Sequence, residues 1–229
     1  MSVAFDWVLL SKQLARLYPH LSVDDWWGMD DPYERSWSCV LVQNTTWHNA
    51  TLALKSLLEN GLTSVSGILA VDEERLRHVI RSAGFYRAKA AALKRLAAWW
   101  ERNGGLEGAS KLETEHIRTD VLQLRGIGAE TADTLLLYVL NRRTFIGDAY
   151  TRRFISRISG EKEKSYNEIR EAVLATELDT RRLQYLHAYI VEFGKDVCRK
   201  RNPDCPSCLL QDTCNYGRGK QCQLKAFPS

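Results

Sequence analysis

Apolar residues recur three and four positions apart along almost the whole chain, and no stretch alternates apolar with polar long enough to make a strand. A period near 3.6 puts the apolar side chains on one face of a helix, so the sequence can bury itself only by packing helix against helix. Phe5, Val8, Leu9, Leu14 and Leu17 give a first helix, Trp37, Val40 and Leu41 a second, and Ala50, Leu52, Leu54, Leu57 and Leu58 a third. Leu76, Val79 and Ile80 come next, ending at Gly84, and an Ala-rich helix over 86–102 stops at Asn103-Gly104-Gly105, a C-terminal signal. Further helices fit 114–122, 129–140, 149–158, 165–176 and 179–195, whereas "TFI" at 144–146 is too short for a strand. The expected class is all-α, with about ten short helices. Without a repeat of 20–50 residues a solenoid is not expected. No linker marks a boundary, so a division into domains has to involve the chain crossing over.

The 229 residues are 45% hydrophobic with five prolines, enough apolar material for a sizeable core and no low-complexity tract. No run of about 18 apolar residues occurs, so no membrane-spanning helix is expected. The N-terminal stretch carries Asp6 within its apolar run and reads as an amphipathic helix, not a leader, so a cytoplasmic location is expected. A net charge of +4 permits nucleic-acid binding without arguing for it. Local clusters say more: Arg199-Lys200-Arg201, and Arg142, Arg143, Arg152 and Arg153 around Asp148, although solvated faces would look the same. Among seven tryptophans, Trp26–Trp27, Trp47 and Trp99–Trp100 are grouped. Buried core explains most such groups, but a pair beside a polar, glycine-containing segment is also suited to stacking.

Four of the six cysteines fall in "CRKRNPDCPSCLLQDTC", as Cys198, Cys205, Cys208 and Cys214 with the spacing C-x6-C-x2-C-x5-C. Four thiolates so close can wrap one tetrahedral zinc or one cubane cluster, and Pro203 and Pro206 stiffen the loop between them. Disulfides suit a secreted mini-domain better than a helical cytoplasmic chain. Cys39 and Cys222 stand outside the pattern, as a buried thiol and a tail residue.

"LQLRGIGAETADTLLLYVL" reads helix, tight turn, helix. Gly126 and Gly128 allow left-handed backbone or close approach, and the amides opening the second helix, with its dipole, form an anion site that a DNA phosphate can reach. An ordinary helix connection can need the same glycines.

This hairpin, Asp148 about twenty residues on and the four-cysteine loop together resemble the endonuclease III superfamily of base-excision DNA glycosylases, over about residues 26–214. The resemblance implies a helix–hairpin–helix, a catalytic aspartate at Asp148 and a 4Fe–4S cluster on Cys198, Cys205, Cys208 and Cys214, with zinc the lesser alternative. It implies two helical domains with the active site in a cleft between them: a six-helix domain over 32–140, and a discontinuous one of 1–31 plus 141–229. "VLVQNTTWHNA" (40–50) is similar to the segment whose glutamine enters the duplex, here Gln43 followed by Asn44. "SAGFYRAKA" (82–90) is similar to the loop that wedges the opposite strand, with Phe85 at its tip. Gly126 and Gly128 would meet phosphate, as would Arg199, Lys200 and Arg201 beside the cluster. The partner implied is double-stranded DNA with a damaged base, bound by a monomer that would associate with the nucleoid.

In endonuclease III a lysine on the second hairpin helix attacks the sugar and cuts the strand through a Schiff base. The matching position is Glu130, which cannot form one, although an acid in the first turn also suits the helix dipole. The resemblance therefore implies a monofunctional glycosylase, with water as nucleophile. Adenine-mismatch glycosylases carry a glutamate where this chain has Cys39. "QNTTW", the upstream "WW" and "GIGxExAD" look most like the 3-methyladenine glycosylases, whose aromatic pocket would fall to Trp26, Trp27 and Trp47, although Gly28 stands where that branch often has proline. An alkylated purine is cationic and its glycosidic bond is already weak, so an indole face that attracts it by roughly 0.5–2 kcal/mol suits the chemistry. Asp148 would stabilise the oxocarbenium-like sugar or orient the water, although an aspartate before Ala149 is also a plain helix cap. His187 reads as a packing residue. The alternatives are a uracil or thymine mismatch glycosylase, an endonuclease III-type lyase, and a non-enzymatic DNA-binding or redox-sensing iron–sulfur protein.

Overall fold

A computed structural model describes residues 5–219, and no strand occurs among them. Cys222 lies outside the described residues. The helices are α1 (Trp7–Leu17), α2 (Pro32–Leu41), α3 (Trp47–Glu59), α4 (Val65–Ala70), α5 (Glu73–Val79), α6 (Tyr86–Arg102), α7 (Gly105–Ala109), α8 (Thr114–Leu122), α9 (Ala129–Thr134), α10 (Ala149–Ser159), α11 (Tyr166–Leu174) and α12 (Thr180–Asp196). Short polar side chains set their starts by accepting from first-turn amides: Asp6, Asp31 before Pro32, Thr46, Ser64, Asp72, Asp148, Ser165 and Asp179. Ser165 and Glu168 form a reciprocal capping box. The short α4 and α7 have no expected counterpart, because six and five residues span fewer than two helical turns and do not repeat an apolar period.

The chain divides into two compact units, Trp27–Arg143 and the described residues up to Trp26 together with those from Thr144 onward. The limits lie outside the expected 32–140, and local contacts explain why. Trp27 packs edge-on against Tyr138 at 5.3 Å, and the Met29 carbonyl accepts from Arg35, which holds 27–31 to α2. The Arg142 guanidinium donates to the carbonyls of Ser110 and Leu112, which holds 141–143 to the same unit.

The Trp27–Arg143 unit buries Trp37, Trp99 and Trp100 completely. Trp37 Nε1 donates to the Thr63 carbonyl (2.6 Å) and Trp100 Nε1 to Ser36 Oγ (2.9 Å), so both large rings enter the core with their polar atoms satisfied. The 99–100 pair is core and not a stacking surface. In the other unit α1 lies on α12, burying Trp7, Leu10 and Leu14 against a helix that buries Leu183, Leu186 and Ile190. Phe154 and Phe193 join α10 to α12 edge-on at 5.5 Å.

The helix expected over 129–140 is not uniform. After Thr134 it widens into a π turn, Leu135–Val139, closed by Leu140 N–H on the Leu135 carbonyl. The Tyr138 carbonyl accepts from Arg35 at 3.0 Å. Asn141, at φ 50, then ends the segment in the left-handed conformation typical of a helix C-terminus.

Candidate functional site

Within the Trp27–Arg143 unit, α8 and α9 form a helical hairpin joined by the glycine turn. Arg118 on α8 grips Asp133 on α9 with two parallel bonds, Nε to Oδ1 at 2.9 Å and Nη2 to Oδ2 at 3.0 Å. Asp133 is wholly buried, so this bidentate pair locks the angle of the hairpin. The pair was not foreseen: Asp133 stands in the "GIGAETAD" motif, but its partner is fifteen residues away across a turn, at no helical spacing.

The two glycines have different reasons. Gly126 has φ +97, and a Cβ there would come within 3.1 Å of the Ala92 Cβ, so α6 and the turn themselves demand glycine. Gly128 has an ordinary φ of −100, and a Cβ there would meet nothing within 4 Å. Nothing inside the molecule asks for glycine at 128, which leaves the turn's outer surface open to a close approach. Glu130 sits in the first turn of α9, exposed.

Two further loops present unusual backbone. Asn44 has φ 51 just past α2. Gly84 (φ 66) and Phe85 (φ 47) are consecutive left-handed residues before α6, and Phe85 is 70% exposed. A bulky aromatic in that conformation costs about 1–2 kcal/mol, and exposing the ring forfeits its burial as well. Gln43 donates its side-chain amide to the Gly126 carbonyl (3.2 Å) and to Thr131 Oγ1 (2.9 Å), tying its loop to the hairpin.

Trp27 and Trp47 do come together, edge-on at 5.4 Å, and Tyr138 also meets Trp27 edge-on, at 5.3 Å. Trp27 is 7% exposed and Trp47 39%, so the cluster keeps one open aromatic face. Tyr138 was missed because its neighbours read as a plain apolar run. Trp26 belongs to the other unit, where its indole N–H donates to Glu192 (2.8 Å) and its ring meets His187 edge-on at 5.8 Å. The unit boundary falls between the two adjacent tryptophans.

In that second unit Asp148 caps α10, Oδ1 accepting from the Thr151 amide at 2.8 Å. Its Oδ2 lies 3.7 Å from His187 Nε2, and both side chains are buried. Burial pushes the Asp148 carboxyl up, but His187 and the Thr151 amide outweigh it and hold the group below the usual aspartate range. The result is a buried carboxylate held in its charged form. The plain capping role and a poised charge are thus properties of one residue, and His187 is its partner and not simply packing. The arginines around it have other work: Arg152 pairs with Glu163 at 3.3 Å, and Arg153 donates to the carbonyls of Cys198 and Gly194.

Cys198, Cys205, Cys208 and Cys214 line one pocket, and none of the described cysteines is in a disulfide. Among the described residues no three His, Cys, Asp or Glu side chains form a group able to hold a metal ion. Burial, then the neighbouring thiols, raises the pKa of Cys208. Arg157 organises the loop by donating to the carbonyls of Cys198, Arg199 and Lys200 and to Cys198 Sγ at 3.2 Å. Arg199 donates its guanidinium to the carbonyls of Asp196 and Asn202, and it is exposed together with Lys200 and Arg201. Cys39 is a buried thiol donating to the Arg35 carbonyl, and burial pushes it up to about 12.

Residues 37–176 match the family model of HhH-GPD superfamily base excision DNA repair proteins. A Methanocaldococcus jannaschii protein described as a candidate DNA repair glycosylase is 37% identical over 210 residues, 89% of this chain and 93% of its own. Endonuclease III of Sulfolobus acidocaldarius is 31% identical over 180 residues, covering 77% and 78% of the two chains. Among solved structures, endonuclease III in a non-covalent DNA complex superposes with a TM-score of 0.80 at 22% identity, over 96% of this chain and 99% of its own. The 3-methyladenine DNA glycosylase MagIII of H. pylori, bound to 1,N6-ethenoadenine, gives 0.70 at 22% identity, over 83% and 98%. At that identity the two structures speak for the fold.

Proposed function

The chain belongs to the HhH-GPD superfamily of base excision DNA repair proteins, and on that premise we propose that it is a monofunctional DNA glycosylase removing alkylated purines such as 3-methyladenine. The observation that carries the reading is Glu130, an exposed carboxylate in the first turn of α9 where a lyase needs an amine. Two lysines of α6 do not replace that amine. Lys89 Nζ donates to the carbonyls of Leu41 and Ala83, and Lys94 Nζ to those of Leu69 and Val71.

The hairpin would bind the DNA backbone at the open surface of Gly128. Phe85 and the Gln43–Asn44 loop would enter the duplex and hold the gap left by the flipped nucleotide. The open face of Trp47, backed by Trp27 and Tyr138, would attract a cationic base. Asp148, buried and charged, would stabilise positive charge on the sugar or orient the water that attacks it. Base loss then needs no strong general acid, because the alkylated base is already a good leaving group.

The four cysteines suit a 4Fe–4S cluster by their chemistry and their place: they are unbridged thiols lining one pocket, although in this structure they are not drawn together around a single point. Cys198, Cys205, Cys208 and Cys214 would hold it, and with every thiolate engaged it would supply structure and leave the hydrolysis to the protein.

Identity to the Sulfolobus endonuclease III favours a second reading, base removal coupled to strand cleavage. The test is to incubate the protein with duplexes holding one 3-methyladenine analogue, hypoxanthine, uracil or thymine glycol, with and without alkali. Cleavage of the alkylpurine duplex after alkali alone is expected. Alkali-independent cleavage with a borohydride-trapped adduct would establish the lyase, and tight binding without base release from any duplex would establish a binding protein.

A further inference from the structure

Lys89 is the least expected cation in the Trp27–Arg143 unit. It is 3% exposed on α6, and its ammonium donates to two main-chain carbonyls, Leu41 at 2.9 Å and Ala83 at 2.7 Å. Burial lowers its pKa to about 8, with no carboxylate to offset the loss of water. A buried cation held by carbonyls alone is a costly way to finish a helix, and α2 could expose its last carbonyls to solvent instead. The two acceptors stand at the bases of two unusual loops. Leu41 ends α2 and leads into Gln43 and Asn44; Ala83 ends a 3₁₀ turn and leads into Gly84 and Phe85. Both loops carry a left-handed non-glycine residue, Asn44 at φ 51 and Phe85 at φ 47. A second link joins the same two segments at the surface: Ser82 Oγ donates to the Asn49 carbonyl at 3.4 Å, and the Asn49 amide donates to Thr45 Oγ1 at 3.3 Å.

We infer that Lys89 is a positioning residue that locks the Gln43–Asn44 and Gly84–Phe85 loops into one rigid two-pronged insert, so that both enter the duplex together. This rests on the reading that Phe85 is the wedge. A single ammonium anchoring the bases of both loops sets their spacing, and strained backbone at each tip persists because its base cannot relax. Gln43 extends the lock to the hairpin through the Gly126 carbonyl, so the loops and the backbone-binding turn share one frame.

Lys94 supplies the control. It lies on the same helix and donates in the same way to the carbonyls of Leu69 and Val71, but the segment that it holds carries neither a left-handed non-glycine residue nor an exposed large apolar side chain. The experiment measures Kd for a duplex with an abasic-site analogue and for an undamaged duplex, and takes their ratio as discrimination. The proteins are the parent, Phe85→Ala, Lys89→Met, Lys94→Met and Phe85→Ala/Lys89→Met, each confirmed folded by circular dichroism at the assay temperature. Phe85→Ala is expected to lower discrimination about tenfold, the size of one lost stacking contact. Lys89→Met should lower it by a similar factor, the double variant no further, and Lys94→Met should leave it unchanged. If Lys89→Met does not stay folded, Lys89→Gln, which keeps an amide donor to one of the two carbonyls, is read in its place. Undiminished discrimination in the Lys89 variant, losses that multiply in the double variant, or an equal loss in Lys94→Met would each overturn the proposal while leaving Phe85 as the wedge. Unchanged discrimination in Phe85→Ala would overturn the wedge itself, and with it the role of Lys89.

Discussion

The carboxylate of Asp148 serves two partners at once. One oxygen caps α10 through the Thr151 amide and the other faces His187, both out of water. Its folded pKa lies below the ordinary 3.8, so folding favours the charged form. That contribution is complete above the unfolded value and is lost as the pH falls through the folded one. Asp148→Asn keeps an oxygen for the Thr151 amide but has no charge for His187. Thermal melts should place the variant about 1–2 kcal/mol below the parent at neutral pH, with the gap closing below about pH 4. If Asp148 acts on the sugar, single-turnover base release should also fall at least about a hundredfold while affinity for an abasic-site duplex holds; preserved turnover would remove it from the active site. Asp148, Glu130 and Phe85 were legible in the sequence because each stands in a short local motif. Their partners were not: His187 lies 39 positions from Asp148, and no pattern in the chain brings the two together.

At the scale of elements, the hairpin is held by two devices, and each has its own test. Gly126→Ala forces a side chain into left-handed backbone against Ala92 and should cost about 1–3 kcal/mol in chemical denaturation. Gly128→Ala meets open space at an ordinary φ and should change stability by less than about 1 kcal/mol, yet weaken duplex binding if backbone phosphate approaches there. Equal effects of the two variants on stability would show that the turn's two glycines do the same work. Arg118→Met leaves the buried Asp133 carboxylate without its bidentate partner and should destabilise by about 3–5 kcal/mol, and Arg118→Met/Asp133→Leu should recover most of that in the same denaturation series. The helices that carry these devices arise from apolar spacing, without a capping side chain at either N-terminus. The π turn after α9 does not, because a widened turn keeps the apolar sequence and shifts only the hydrogen-bond register, and the Arg35 that serves its Tyr138 carbonyl is set by packing.

At the scale of the whole molecule, the chain forms one unit from its middle and another from its two ends, and the four cysteines belong to the second. If a cluster closes the 198–214 loop, Cys208→Ser should lose iron and acid-labile sulfide, with the visible charge-transfer absorbance, and lower the melting temperature; anaerobically purified parent without iron would count against a cluster. The sequence by itself determined the helical class, through a period that permits no sheet, and the chemistry on offer: four clustered thiols, a glycine turn, a carboxylate just after that turn, and an aspartate ahead of a helix. Those are properties of neighbours in the chain, where spacing and side-chain type are enough. Tertiary structure alone decided that Trp26 donates to Glu192, that Asp133 is clamped by Arg118 and that Lys89 bonds the carbonyls of Leu41 and Ala83. Each of these depends on which buried polar atom must find a partner once water is excluded, and that is settled by the packing of segments far apart in the chain.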